Sequence, residues 1–198
     1  MPWFKKTRKP IAGKEKASRV PEGLWVKCPG CAPNLNVCPK CAHHFRLSAV
    51  ERLRSLFDGD WAEFDRGLSS TDPLSFVDTK AYKDRLQASQ EATGAKDAVV
   101  VGAGTIEGIP VVIAAMEYAF IGGSMGVVVG EKITRAIERA IDSGRPLIVV
   151  CCSGGARMME GALSLMQMAK ICGALARLDR AGVPYISFLT DPTTGGVT

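Results

Sequence analysis

Two rhythms of apolar and polar positions divide this chain, and the change falls near Asp97. Before it, Val50, Leu53, Leu56 and Phe57 recur at helical spacing behind Leu47. Ser48 and Glu51 head that run with the spacing of a capping box, so a first helix starts there and stops near Asp58-Gly59. A linker through Ser69-Ser70-Thr71-Asp72-Pro73 follows. A second helix is predicted from about Thr79 to Ala92, closed at Thr93-Gly94.

After Asp97 short apolar runs take over. Ala98–Val101 reads as a strand, and Glu107-Gly108 between Thr105-Ile106 and Ile109–Met116 predicts a hairpin. Gly122-Gly123-Ser124-Met125-Gly126 reads as a flexible loop. Ile133, Ala136, Ile137, Ala140 and Ile141 mark an amphipathic helix that ends at Ser143-Gly144. Leu147–Cys152 is predicted as a buried strand, Met158–Arg180 as a helix and Tyr185–Thr190 as the next strand. Strand, helix and strand in this order imply parallel strands with helical crossovers, hence an α/β fold. Thr198 stands just after a Gly-Gly turn where another helix should begin, which predicts a core cut short at its C-terminus.

At 198 residues, with 46% hydrophobic and 23% charged residues, the composition is that of a soluble globular protein with one sizeable core. No apolar run approaches the ~20 residues of a membrane helix, and the N-terminus lacks a secretory stretch, so a cytoplasmic protein is expected. Charge is unevenly placed. Residues 1–27 carry eight Lys or Arg against Glu15 and Glu22, which reads as a solvated basic tail or as an arm that touches polyanions.

Cysteines fall into two groups. Cys151, Cys152 and Cys172 sit in apolar surroundings and read as buried thiols. Cys28-x2-Cys31 and Cys38-x2-Cys41 form two knuckles of the kind that hold tetrahedral Zn²⁺ through four thiolates. Only six residues separate Cys31 from Cys38, against about 15–20 in an ordinary ribbon. Either the intervening hairpin is very short or a stretch of sequence is missing there. His43 and His44 lie just outside the knuckles.

Candidate chemistry in the core rests on two Gly-Gly turns, each after a predicted strand: Ser153-Gly154-Gly155-Ala156-Arg157 and Asp191-Pro192-Thr193-Thr194-Gly195-Gly196-Val197. Bare glycines there leave backbone N–H groups unshielded, and two such turns can aim donors at one oxygen that becomes negative during a reaction. Arg157 reads either as a phosphate ligand or as half of a surface ion pair. Gly102-Ala-Gly104-Thr-Ile-Glu-Gly108 has the wrong spacing for a dinucleotide site and leads into a strand. Ser153 lacks the Gly-x-Ser-x-Gly frame, and the only histidines are in the cysteine module, so a Ser-His-Asp hydrolase is disfavoured. Oxyanion donors without an acid–base pair suit a reaction that stabilises a thioester enolate while substrate or cofactor moves the proton.

Several motifs then match one family in order. They are Pro21-Glu22-Gly23-Leu24-Trp25, the two knuckles with His43-His44, Tyr82-Lys83-Asp84-Arg85-Leu86 and Gly122-Gly123-Ser124-Met125-Gly126. With them stand Ser153 to Met158, Leu163-Ser164-Leu165-Met166-Gln167-Met168, and Pro184-Tyr185-Ile186-Ser187 through Val197. From about Val20 to Thr198 the chain resembles the carboxyltransferase beta subunit of bacterial-type and plastid acetyl-CoA carboxylase.

The resemblance implies a crotonase-like spiral of ββα turns behind a four-cysteine zinc ribbon. The boundaries are then a disordered basic tail over 1–20, the ribbon over 21–45 and the N-terminal part of the carboxyltransferase domain over 46–198. It implies transfer of CO2 from carboxybiotin on the biotin carboxyl carrier protein to acetyl-CoA, giving malonyl-CoA, the first committed step of fatty acid synthesis. Gly195 and Gly196 are then the oxyanion donors, and Gly154, Gly155, Ala156 and Arg157 form the companion turn near the acyl-CoA thioester. Cys28, Cys31, Cys38 and Cys41 hold one structural Zn²⁺. An alpha subunit completes the site in an α2β2 assembly, and biotin carboxylase is a further partner. Two alternatives stand beside this reading: a propionyl-CoA-type carboxyltransferase, and a zinc-ribbon module that binds nucleic acid.

Overall fold

A computed structural model describes residues 36–197. The chain divides into two compact units, one up to Phe45 and one from Arg46 onward. In the first, Val37 and His44 pair in an antiparallel bridge around the turn that carries Cys38 and Cys41. Cys28 and Cys31 lie outside the described residues, as does the basic tail.

The second unit is a mixed α/β layer structure. Its helices are α1 (Ala49–Leu56), α2 (Tyr82–Thr93), α3 (Val127–Ser143) and α4 (Ala162–Arg180). Its strands are β1 (Ala62–Phe64), β2 (Val99–Ile106), β3 (Ile109–Met116), β4 (Leu147–Ser153) and β5 (Tyr185–Thr193). They form one sheet in the order β1-β2-β3-β4-β5. The first two pairings are antiparallel; β3 with β4 and β4 with β5 are parallel, with α3 and α4 as the crossovers.

Local chemistry explains most of the boundaries. The Ser48 side chain accepts from the Glu51 N–H while the Glu51 carboxylate accepts from the Ser48 N–H, so the capping box closes α1 as expected. Glu107 and Gly108 both take positive φ, 50° and 76°, the two-residue turn that matches strand twist in a hairpin. Asp58 pins this turn by accepting from both N–H groups at 2.8 and 2.9 Å. Gly102 and Gly104 serve packing: a methyl carbon would lie 2.4 Å from Trp61 at the first and 2.6 Å from Phe57 at the second.

Side chains alternate across the sheet, as the two-residue strand period demands. Val99, Val101, Val112, Ala114, Leu147 and Val149 face the α3 and α4 side of the core. Val100, Val111, Ile113, Ala115 and Val150 pack with Ala49, Leu53 and Phe57. Beyond β4 the sheet is open: Ile186, Phe188 and Leu189 of β5 are each at least half exposed.

Three elements differ from expectation. β1 is an additional strand. The helix predicted over Met158–Arg180 is broken: a 3-10 turn covers Met158–Glu160, Gly161 turns at φ 52°, and α4 begins at Ala162. The continuous Met/Leu/Ala pattern conceals that break. Finally, Cys172 is exposed, whereas Cys151 and Cys152 are buried as expected.

Candidate active site

Both glycine turns sit at the C-terminal ends of parallel neighbours, β4 and β5, where an open sheet of this kind places a crevice. Ser153 and Thr193 pair across the two strand ends. Thr194 then donates to the Ser153 carbonyl through its N–H and its hydroxyl, each at 3.1 Å. Gly155, at φ 116°, brings its backbone against that threonine; a methyl carbon there would lie 3.7 Å from Thr194 Cγ2. The two turns predicted to cooperate are thus in contact.

Their amides are not equivalent. The Gly154 N–H donates to the Gly122 carbonyl at 2.9 Å, and the Gly155 N–H donates to Ser153 Oγ at 3.0 Å. The Val197 N–H donates to the Thr194 carbonyl at 2.9 Å. Among the described residues no acceptor takes the N–H of Ala156 or that of Gly196. Those two amides are unspent, one on each turn.

Gly195 and Gly196 also border a cavity of about 170 Å³ between α4 and the sheet. Its walls include Met116, Met125, Cys151, Met168 and Tyr185. Gly154, Gly155 and Ala156 do not line it; they adjoin the second turn through Thr194. Among the described residues its lining has no carboxylate, histidine or amine. Burial pushes the Cys151 thiol and the Tyr185 phenol above their ordinary values, so both stay protonated at neutral pH. Ser153 Oγ accepts from the Gly155 N–H, and both histidines belong to the other unit.

Arg157 departs from both of its expected placements. It is fully buried, so it neither reaches solvent nor forms a surface pair. Its guanidinium meets Asp97 through two bonds of 2.6 and 3.1 Å, and donates to Tyr82 Oη at 3.0 Å. Tyr82 Oη donates in turn to Glu160 Oε1 at 2.6 Å. Burial works against the Arg157 charge, and Asp97 and Tyr82 together more than offset it, holding the guanidinium protonated. Burial likewise pushes the Tyr82 phenol far up. Asp97 had no signal in the sequence, because it lies 60 residues from Arg157, and nothing local marks Glu160, three residues on, as its second carboxylate. The neighbouring loop had one, in its glycines: at Gly123 (φ 65°) a methyl carbon would lie 2.1 Å from the Cys152 carbonyl oxygen.

A family model described as the carboxyl transferase domain matches residues 65–198. The acetyl-coenzyme A carboxylase carboxyl transferase subunit beta of Pelobacter propionicus is 54% identical to this chain, covering 100% of it and 74% of the relative. The protein of the same name in Citrifermentans bemidjiense is also 54% identical with the same coverage. Among solved structures, transcarboxylase 12S with methylmalonyl-coenzyme A and methylmalonic acid bound is 31% identical at a TM-score of 0.61. That likeness covers 73% of this chain and 26% of the transcarboxylase chain. A Pseudomonas malonate decarboxylase hetero-tetramer in complex with malonate is 32% identical at a TM-score of 0.55, covering 71% of this chain and 49% of that one.

Proposed function

The chain belongs to the carboxyl transferase family, and on that premise we propose that it is the beta subunit of a multi-subunit acetyl-CoA carboxylase. Its reaction transfers CO2 from carboxybiotin, carried on a partner protein, to the methyl carbon of acetyl-CoA, giving malonyl-CoA. Removal of a methyl proton places negative charge on the thioester oxygen. The Ala156 and Gly196 N–H groups suit that charge, since each is fixed in a turn and neither is spent on another acceptor. The ureido nitrogen of biotin takes the proton as CO2 leaves it, so the protein needs no histidine. One observation carries this reading: two touching glycine turns each keep an unspent amide, and the cavity that the second turn borders has no carboxylate, histidine or amine among its described lining residues. The fold is read as the opening part of a crotonase-like spiral, with 46–198 as the carboxyltransferase domain.

Residues 21–45 are read as a zinc ribbon held by Cys28, Cys31, Cys38 and Cys41. The described half has the form of a knuckle: the Ala42 N–H donates to the Cys38 carbonyl and the Cys38 N–H to the His43 carbonyl, both at 2.8 Å. Zn²⁺ there would serve as a structural crosslink. Among the described residues no helix is long and apolar enough to cross a membrane, and the chain is read as working in the cytoplasm. An alpha subunit, the biotin carboxyl carrier protein and biotin carboxylase are its partners in this reading.

The test is formation of malonyl-CoA from acetyl-CoA and carboxybiotin by the full-length chain mixed with an alpha subunit. Activity only in the mixture is expected. A properly assembled mixture that forms none overturns the reading, and faster turnover of propionyl-CoA transfers it to that substrate.

A further inference from the structure

The cluster around Arg157 lies directly behind the first glycine turn. The Arg157 N–H donates to the Met125 carbonyl at 2.9 Å, and the Met125 N–H donates to the Gly155 carbonyl at 2.9 Å. That carbonyl and the Ala156 N–H belong to one trans peptide, so they point in opposite directions. The bond from Met125 therefore sets where the Ala156 N–H points.

Met125 is held through its neighbour. The Arg157 guanidinium grips Ser124 twice, donating to its carbonyl at 2.8 Å and to its Oγ at 3.1 Å. Asp97 fixes the guanidinium with two bonds of its own. On the far side Glu160 accepts from the Val127 N–H at 2.5 Å and from Ser70 Oγ at 2.9 Å, tying the start of α3 to the same cluster. Gly126 passes between them; a methyl carbon there would lie 2.7 Å from Glu160 and 2.9 Å from Arg157.

We infer that Arg157 is a positioning residue for the reaction: through Ser124 and Met125 it aims the Ala156 N–H at the oxygen of the thioester enolate. This rests on the carboxyltransferase reading above. A donor that serves developing charge matters more in the transition state than in the ground state. Loss of its aim therefore lowers kcat and leaves KM for acetyl-CoA nearly unchanged. A cluster that served only the fold would lower Tm and leave kcat per folded enzyme intact.

The experiment uses the full-length chain assembled with its alpha subunit. Turnover by the wild type is measured first; an inactive wild type overturns the functional reading, and this inference with it. With an active wild type only Arg157 is at issue. Arg157→Lys keeps the charge and loses the fork, and is expected to lower kcat per folded enzyme about 10–100-fold at constant KM. Ser124→Ala removes one hydroxyl, and is expected to lower kcat about threefold. If Arg157→Lys does not fold, Ser124→Ala decides alone. Unchanged kcat in the folded variants, or a raised KM at unchanged kcat, overturns the inference.

Discussion

Thr194 spends both its N–H and its hydroxyl on the Ser153 carbonyl, each at 3.1 Å. The end of β4 is thereby tied to the turn after β5, alongside the Ser153–Thr193 pairing and the Thr193 hydroxyl on the Cys151 carbonyl. Thr194→Val keeps the shape and the backbone bond but removes the hydroxyl. Stability is expected to fall by about 1 kcal/mol in thermal melts. In the assembled enzyme kcat should fall several-fold, because the two donors no longer hold a common aim.

Gly123 and Gly173 make opposite predictions for the same substitution. Gly123→Ala forces a methyl carbon to 2.1 Å from the Cys152 carbonyl oxygen at a φ of 65°. It is expected to cost at least about 3 kcal/mol in chemical denaturation. Gly173 lies within α4 with nothing inside 4 Å of the added carbon, so Gly173→Ala should gain about 0.5–1 kcal/mol.

Asp58 links acid stability to the hairpin. The Gly108 and Glu107 N–H groups hold its carboxyl below the ordinary carboxylate range. A depressed carboxyl contributes stability that is present above its unfolded pKa of about 4 and disappears as pH falls through the folded value. Asp58→Asn should therefore lower Tm at neutral pH, with the gap from wild type closing in acid. Melts taken at a series of pH values check it; a gap of constant size would remove the ionised carboxylate as its cause.

For the ribbon, the expected result is one equivalent of zinc per full-length chain by elemental analysis. Cys38→Ser should lower that content, since a site of four thiolates loses a ligand. Purified chain without zinc would withdraw the ribbon reading.

Where the signal was local, the sequence carried it. The Ser48–Glu51 capping box, the Glu107-Gly108 turn and both glycine turns are contiguous, and each appears where its residues place it. β1 had no such signal: three residues, two of them exposed, cannot show alternation. The break at Gly161 was hidden by apolar positions that run on at helical spacing. Arg157 was legible as a residue and not as a buried one, because Asp97 and Tyr82 stand 60 and 75 residues away. Which amides remain unspent was beyond the sequence altogether. Gly154 and Gly155 look like the better donors until Gly122 and Ser153 Oγ are seen to take their N–H groups.

The β2–β3 hairpin bears on how this domain assembles. Its partners are close in sequence, and Asp58 staples its tip, so it is expected to close within about 1–10 μs, as short hairpins do. The parallel pairings of β4 and β5 must first bring in the lengths of α3 and α4, and contacts of that span form more slowly. The glycine turns are therefore born last, and a chain arrested early would carry half a sheet and no chemistry.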